Sequence, residues 1–205
     1  MINRPNNWND VKEFSDRQKL PLGAYVCKVK KVAVQSNDYG QQLCILFDIT
    51  EGDFKGFYDD EFKANTNENK KWKGVLRQWL PKDDGSEKDE WTKSAFKRMC
   101  SAFEKSNPGY QWNWDEASLV GKLIGILFRN EEWEYEGKTG WAVRPFRAIS
   151  TDLVRAAEYT LPKDKPLQNK TDNSSLGNFS DATANSSDAA ANNFEVIADD
   201  EDLPF

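Results

Sequence analysis

The sequence of 205 residues contains no histidine. Histidine is the commonest general base and a common metal ligand, so its absence excludes Ser-His and Cys-His nucleophile pairs and His-ligated zinc. Cysteine is scarce as well. Cys27, Cys44 and Cys100 are widely spaced and include no C-x-x-C pair, which predicts reduced thiols in a cytoplasmic protein.

Long apolar runs are also missing. The longest lies around residues 123–128, and residues 1–7 are largely polar, so we expect neither a membrane span nor an export signal. The sequence has no G-x-x-x-x-G-K-[ST] and no G-x-G-x-x-G motif, the signatures of nucleotide hydrolysis and dinucleotide redox chemistry. We therefore expect no cofactor and no enzymatic activity.

The charges present are unevenly distributed. Residues 1–160 carry equal numbers of basic and acidic side chains, whereas residues 161–205 carry three lysines against nine acids. Residues 161–198 are rich in Asn, Ser, Asp and Ala, a composition too poor in apolar side chains to offset the entropy of ordering. This predicts a folded domain (1–160), a disordered linker (161–198) and an acidic tip (199–205).

The tip combines four carboxylates with an apolar end. Basic side chains of another protein would bind the carboxylates, and a hydrophobic slot would bind the phenyl ring. The predicted partner-binding residues are Asp199, Asp200, Glu201, Asp202, Leu203, Pro204 and Phe205.

The Asp-Asp-Glu-Asp-Leu-Pro-Phe sequence resembles the acidic tip of bacterial single-stranded-DNA-binding proteins. Residues 119–150 resemble the divergent versions that bacteriophages carry. The resemblance implies an OB-fold that coats single-stranded DNA in the cytoplasm of a bacterial host. It also implies a tip that recruits helicases, primases, polymerases, nucleases or recombinases during replication, recombination and repair. A homo-oligomer is compatible with it.

Hydrophobic periodicity predicts a mainly β protein with inserted helices. Alternating residues predict strands, and i, i+3, i+4 spacing predicts helices. The predicted strands are 24–35, 41–50, 56–63, 119–129 and 141–149, and the predicted helices are 8–19, 72–80, 91–105 and 150–159. Five strands with a helix between the third and fourth fit a five-stranded OB barrel. Other small α+β sheets fit the same order.

Aromatic residues are plentiful, with 8 Trp, 6 Tyr and 12 Phe. A nonspecific single-strand binder needs exposed rings for base stacking and cations for phosphates. Candidate DNA-binding residues are Lys28, Lys30, Lys31 and Tyr39 on the first hairpin; Tyr58 on the third strand; Lys71, Lys73 and Arg77, with Lys70, on the helix at 72–80; and Trp133, Tyr135, Lys138, Trp141, Arg144 and Arg147 on the last hairpin.

Each cluster has a structural interpretation too. The lysines of the first hairpin would protect a strand edge from pairing with another chain. The charged residues at 70–77 would form a solvated helix face. Trp72 and Trp79 would pack in the core. Four nearby acids, Glu131, Glu132, Glu134 and Glu136, would repel phosphate.

Two further functions remain open. An adaptor or recombination mediator would use the same tip with little DNA binding of its own. A magnesium-dependent nuclease would use carboxylates, of which the sequence offers Asp59, Asp60, Glu61, Asp83 and Asp84.

Overall fold

The computed structural model describes residues 19–167, together with residues 3, 4, 6, 8 and 9. Most of the predicted helix at 8–19, most of the predicted linker and the whole tip lie outside the described residues. The elements in chain order are β1 (Ala24–Asn37), β2 (Gly40–Ile49), α1 (Phe57–Ala64), β3 (Val75–Trp79), α2 (Glu87–Ser106), β4 (Leu123–Tyr135), β5 (Lys138–Ile149) and α3 (Thr151–Arg155).

The five strands form one antiparallel sheet in the order β3-β2-β1-β4-β5. The two edge strands, β3 and β5, approach each other closely enough for direct contacts. The sheet is therefore strongly curved. This confirms the prediction of a mainly β fold with inserted helices.

The first hairpin was predicted correctly because large apolar residues recur at every second position of its strands. Residues such as Leu43, Ile45 and Phe47 face the core from β2 and are almost fully buried. The turn is held by Asn37, whose Oδ1 accepts the backbone N–H groups of Tyr39 at 3.0 Å and Gly40 at 3.1 Å. This arrangement places the Tyr39 ring at an exposed hairpin tip.

The main core lies between the curved sheet and α2. The helix begins at Ser86, whose Oγ accepts the Asp89 N–H at 3.1 Å, and three acids occupy its first turn. Its buried side includes Phe96, Met99 and Phe103. The prediction of a helix at 91–105 is confirmed, with a start four residues earlier.

The end of α2 is tied to the start of β4 by one side chain. Asn107 Nδ2 donates to the carbonyls of Phe103 and Leu123, both at 2.8 Å, while its Oδ1 accepts the Leu123 N–H at 2.9 Å. All three bonds join backbone groups that would otherwise lie unpaired at the ends of α2 and β4.

The prediction of a helix at 72–80 is wrong, because this segment contains β3. Leu76 faces the main core, whereas Val75 faces a second small cluster with Cys44 and Leu46. A short strand with apolar residues on both faces lacks the alternation typical of strands. The neighbouring Trp72 completed a helix-like spacing by coincidence.

The prediction of a strand at 56–63 is also wrong, because α1 occupies this segment. Its start is fixed by Asp48, a buried residue of β2 whose Oδ1 accepts the Tyr58 N–H at 3.1 Å and the Ile49 N–H at 2.9 Å. The Asp48–Tyr58 hydrogen bond joins residues ten positions apart, so local helix propensity does not predict where α1 begins.

The last hairpin is longer than predicted. β1 pairs only with Leu123–Leu127 of β4, and beyond that point β4 and β5 continue together as an arm, defined here as residues 128–145. The expected tip at 130–140 shrinks to Glu136 and Gly137, both with positive φ (50° and 73°). A two-residue turn of this kind matches the twist of paired strands.

The helix predicted at 150–159 is present as α3, which packs against β1 and β4. Gly125 permits this approach, since a Cβ there would lie 2.6 Å from Val154 Cγ2. Within the described residues, no helix combines the length and apolar character needed to cross a membrane.

Candidate nucleic-acid interface

The arm has two chemically different faces. In an antiparallel pair, directly opposed residues point to the same side, and successive residues alternate. Trp133 opposes Gly140, and Tyr135 opposes Lys138, so the two rings share one face with that lysine. Trp141 opposes Glu132 and lies on the other face. The prediction that Trp133 and Tyr135 share a face is confirmed.

The face carrying Trp133 and Tyr135, called here the platform face, is rich in cations. Arg129 opposes Arg144 at its inner end, and Lys138 stands at its outer end. Tyr135 is 67% exposed and Trp133 is 37% exposed. Exposed rings flanked by cations can stack on bases and neutralise phosphates.

The glutamates of the arm divide between its faces. On the platform face, Glu131 Oε1 lies 2.6 Å from Arg129 Nη2, so its charge is paired. Glu132 and Glu134 lie on the opposite face with Trp141. The acids that would repel phosphate are therefore paired with a cation or turned away from the platform face, except for Glu136 in the turn.

Arg147 lies next to the inner end of the platform face. It opposes Leu127, two residues before Arg129 on β4, beside a bulge between Leu127 and Phe128, and its guanidinium lies 5.6 Å from the Phe146 ring centroid. The Arg129 guanidinium contacts the same ring at 4.2 Å. Phe146 thus helps to orient the cation at the inner end of the platform face.

The chain runs back along the arm after α3. The Lys165 N–H donates to the Asn130 carbonyl, and the Lys165 carbonyl accepts the Glu132 N–H, both at 2.9 Å. The Leu167 N–H donates to Glu132 Oε2 at 3.0 Å. We call residues 163–167 the strap. It occupies the edge of β4 that β1 leaves open and belongs to the folded body.

The turn of the first hairpin forms a second candidate site. Tyr39 lines a small cleft with Trp79, Lys82 and Lys88. A Cβ at Gly40 would lie 2.9 Å from Lys82 Cε and 3.8 Å from Trp79 Cζ3, so these side chains cross directly over the turn. The same cleft is also lined by Asp84 and Asp89, which reduces its attraction for phosphate.

The three lysines of β1 predicted to bind DNA differ in their contacts. Lys28 and Lys31 are exposed and oppose Asp48 and Leu46. Lys30 lies at a bulge, with Nζ 3.3 Å from Asp48 Oδ2 and 3.5 Å from Asp59 Oδ1. Its Nζ also lies 4.5 Å from the Trp72 ring centroid, so Lys30 is chiefly structural.

The cluster predicted on a helix at 72–80 is divided, because its three lysines lie beside α1 and Arg77 lies on β3. Lys73 pairs with Glu61 at 2.6 Å, and Lys70 lies over the Phe62 ring. Lys71 lines a shallow cleft beside α1, and Arg77 is exposed on β3 opposite Cys44.

Tyr58 is not available for base stacking. It is 5% exposed and packs edge-on against Phe47, with ring centroids 5.4 Å apart. Burial raises the pKa of its phenol well above the usual range. The expectation that Tyr58 binds DNA fails because the segment is helical and directs this ring into the core.

Three of the five carboxylates considered for metal binding pair with lysines, Glu61 with Lys73 as described above. Asp59 Oδ2 lies 2.5 Å from Lys63 Nζ, and Asp83 Oδ1 lies 2.8 Å from Lys93 Nζ. In the part of the chain that the structure describes, no three His, Cys, Asp or Glu side chains are grouped to hold a metal ion.

Sequence reasoning missed Arg129, Lys165 and Lys82. Arg129 was the last residue of the predicted strand 119–129, Lys165 was assigned to the linker, and Lys82 lay in a segment with no predicted strand or helix. No local signal places them beside aromatic rings, because each position depends on pairing between distant segments. No protein-family model matches the sequence, and no curated protein matches it either.

Proposed function

We propose that this protein binds single-stranded DNA without sequence specificity and that the platform face of the arm is its principal contact surface. The observation that carries this proposal is the exposure of Trp133 and Tyr135 on one face together with Lys138, Arg129 and Arg144. Base stacking is sequence-tolerant because every base presents a π-face.

The strand order supports an OB-fold as the finer description of the body. In that fold a five-stranded Greek-key barrel binds oligonucleotides with the face of strands 2 and 3 and with the loops joining strands 1–2 and 4–5. Here those two loops are the turn bearing Tyr39 and the turn at the tip of the arm. The contact between β3 and β5 is the one that closes such a barrel.

Intrinsic tryptophan fluorescence, titrated with oligo-dT, tests this function. Stacking on Trp133 quenches its emission, and the slope of log K against log salt is about −0.7 for each phosphate neutralised. A duplex of the same length is expected to bind more weakly, because its bases are already stacked. An unchanged emission spectrum together with no binding would favour the adaptor function instead.

We further propose a role in phage DNA replication, recombination or repair, in which the tip recruits partner enzymes. This part rests on the sequence of residues 199–205, with four acids followed by Leu-Pro-Phe. Deletion of Phe205 is expected to abolish partner binding and leave oligo-dT binding intact, as measured by pull-down from an infected-cell extract and by fluorescence. Loss of both activities would contradict this division.

A further inference from the structure

The strap is attached to the arm through its backbone. Its two hydrogen bonds at Lys165 involve only main-chain atoms, and they form an isolated parallel bridge between Lys165 and Glu131. A side-chain bond between Asn130 Nδ2 and Asp164 Oδ1, at 3.1 Å, adds to this attachment. The position of Lys165 is therefore fixed independently of its own ammonium group.

The bridge places Lys165 on the platform face. Residues paired across adjacent strands point to the same side, so Lys165 shares a face with Glu131. Arg129 precedes Glu131 by two residues and opposes Arg144, which puts both guanidinium groups on that face too. Three cations and one carboxylate thus share this face.

The electrostatics of this group favour an additional anion. Glu131 is already paired with Arg129 at 2.6 Å, and the side chains of this pair are only 19% and 15% exposed respectively. Burial lowers the pKa of Lys165, and the like charges of Arg129 and Arg144 lower it further, against the opposing effect of Glu131. A bound phosphate would relieve this repulsion between cations.

We propose that Lys165, together with Arg129 and Arg144, forms a phosphate-binding site for the nucleic-acid backbone beside the Trp133 ring. This inference rests on the proposed function. Glu131, the bridge partner of Lys165, is two residues from Trp133, a separation of about 7 Å along a strand. A nucleotide whose base stacks on Trp133 therefore has its phosphate within reach of this site, and the strap forms part of the interface.

The direct test is Lys165→Met, which removes the charge and retains most of the apolar stem. The strap stays in place because its bonds at this residue are main-chain bonds. We expect weaker oligo-dT binding at low salt and a log K versus log salt slope less steep by about 0.7, the loss of one phosphate contact. The matched control is Lys105→Met, an exposed lysine in the last turn of α2, which is expected to retain the wild-type slope.

A pair of truncations tests the strap without a point substitution. One chain ends after Leu167 and keeps the strap, and the other ends after Pro162 and lacks it; both lack the acidic segment. The shorter chain is expected to show the reduced slope of Lys165→Met, and the longer chain the full slope. Thermal melting of both chains checks that the body remains folded.

The two proposals fail in different ways. If the wild-type protein binds oligo-dT while Lys165→Met and both truncations keep its full slope, the strap takes no part in binding and the inference is overturned, although the proposed function stands. If the wild-type protein binds no oligo-dT at any salt concentration, both proposals are overturned.

Discussion

The Trp133 ring lies directly against the backbone of Gly140 on the opposing strand. A Cβ added at residue 140 would lie 2.7 Å from Trp133 Cζ2 and 2.9 Å from Cε2, closer than real contacts allow. The ring thus packs on the Gly140 backbone, while 37% of the Trp133 side chain remains exposed. An aromatic ring packed on a cross-strand glycine is a recognised way to stabilise a hairpin.

Gly140→Val is expected to displace the Trp133 ring. The new side chain occupies the space of the ring, which must tilt away from the platform face and lose its stacking geometry. We predict an oligo-dT affinity lower by about 1–3 kcal/mol, the contribution of one stacked base, with a shift in tryptophan emission. Thr139→Val, on the opposite face, serves as the control; equal losses in both variants would contradict this account.

The two tryptophans of the arm should differ in their response to truncation. Trp133→Ala is expected to reduce oligo-dT affinity by about 1–3 kcal/mol, whereas Trp141→Ala, on the face with Glu132 and Glu134, should change it little. Fluorescence anisotropy of a labelled oligonucleotide measures both. A larger effect from Trp141→Ala would move the interface to the other face of the arm.

Gly74 is required for the close approach of two backbones. A Cβ there would lie 2.6 Å from the Phe47 carbonyl oxygen and 2.7 Å from Tyr58 Cδ2. We expect Gly74→Ala to lower the free energy of unfolding by about 1–3 kcal/mol, as overpacking typically does. At Gly23 the same addition meets its nearest atom at 3.7 Å, so Gly23→Ala is the urea-denaturation control and should cost much less.

Asp48 joins β1, β2 and α1 through a single carboxylate. Asp48→Ala leaves the Tyr58 N–H and the Lys30 ammonium without this acceptor, which costs about 1–3 kcal/mol for a buried donor. The exposed Asp53→Ala should be nearly neutral in the same urea titration. Comparable stability of the two variants would show that water replaces the carboxylate at no cost.

The three cysteines should be protected from reaction in the native state. All three are buried free thiols, and burial raises the pKa of Cys27 well above its usual value and that of Cys100 to about 11. A thiol reagent at pH 8 is expected to label them only after denaturant is added. Rapid labelling of the native protein would contradict this burial.

The same shifts predict loss of stability in alkali. Between pH 9 and 11 the unfolded thiols lose their protons while the folded ones keep them. The unfolded state then binds fewer protons, and the free energy of unfolding falls as pH rises. Urea midpoints measured across this range test the direction. A midpoint that does not fall above pH 9 would show that these thiols ionise as readily in the folded state.

The sequence predicts those parts of the fold whose pattern is local. Apolar residues at every second position located the first hairpin, and a helical stripe of apolar residues located α2, although not its capping serine. β3 was missed because Val75 and Leu76 are buried on opposite faces, which removes the alternation, and α1 was missed because its first turn depends on Asp48.

The candidate site was predictable to a similar extent. Trp133 and Tyr135 are two residues apart in an extended segment, so their common face follows from strand geometry alone. Strand geometry alone does not predict the face on which Trp141 lies. That face depends on the two-residue length of the turn, because a turn one residue longer would place Trp141 on the platform face. The position of Lys165 depends on a bridge to a residue 34 positions earlier in the chain.

The strap also holds the chain beside the arm as far as residue 167. Leu167, the last described residue, donates its N–H to Glu132 Oε2 in the arm. Under the proposed function, the platform face and residues 199–205 belong to one chain that is anchored at the arm, so an enzyme bound to the tip stays covalently linked to the protein on the occupied strand.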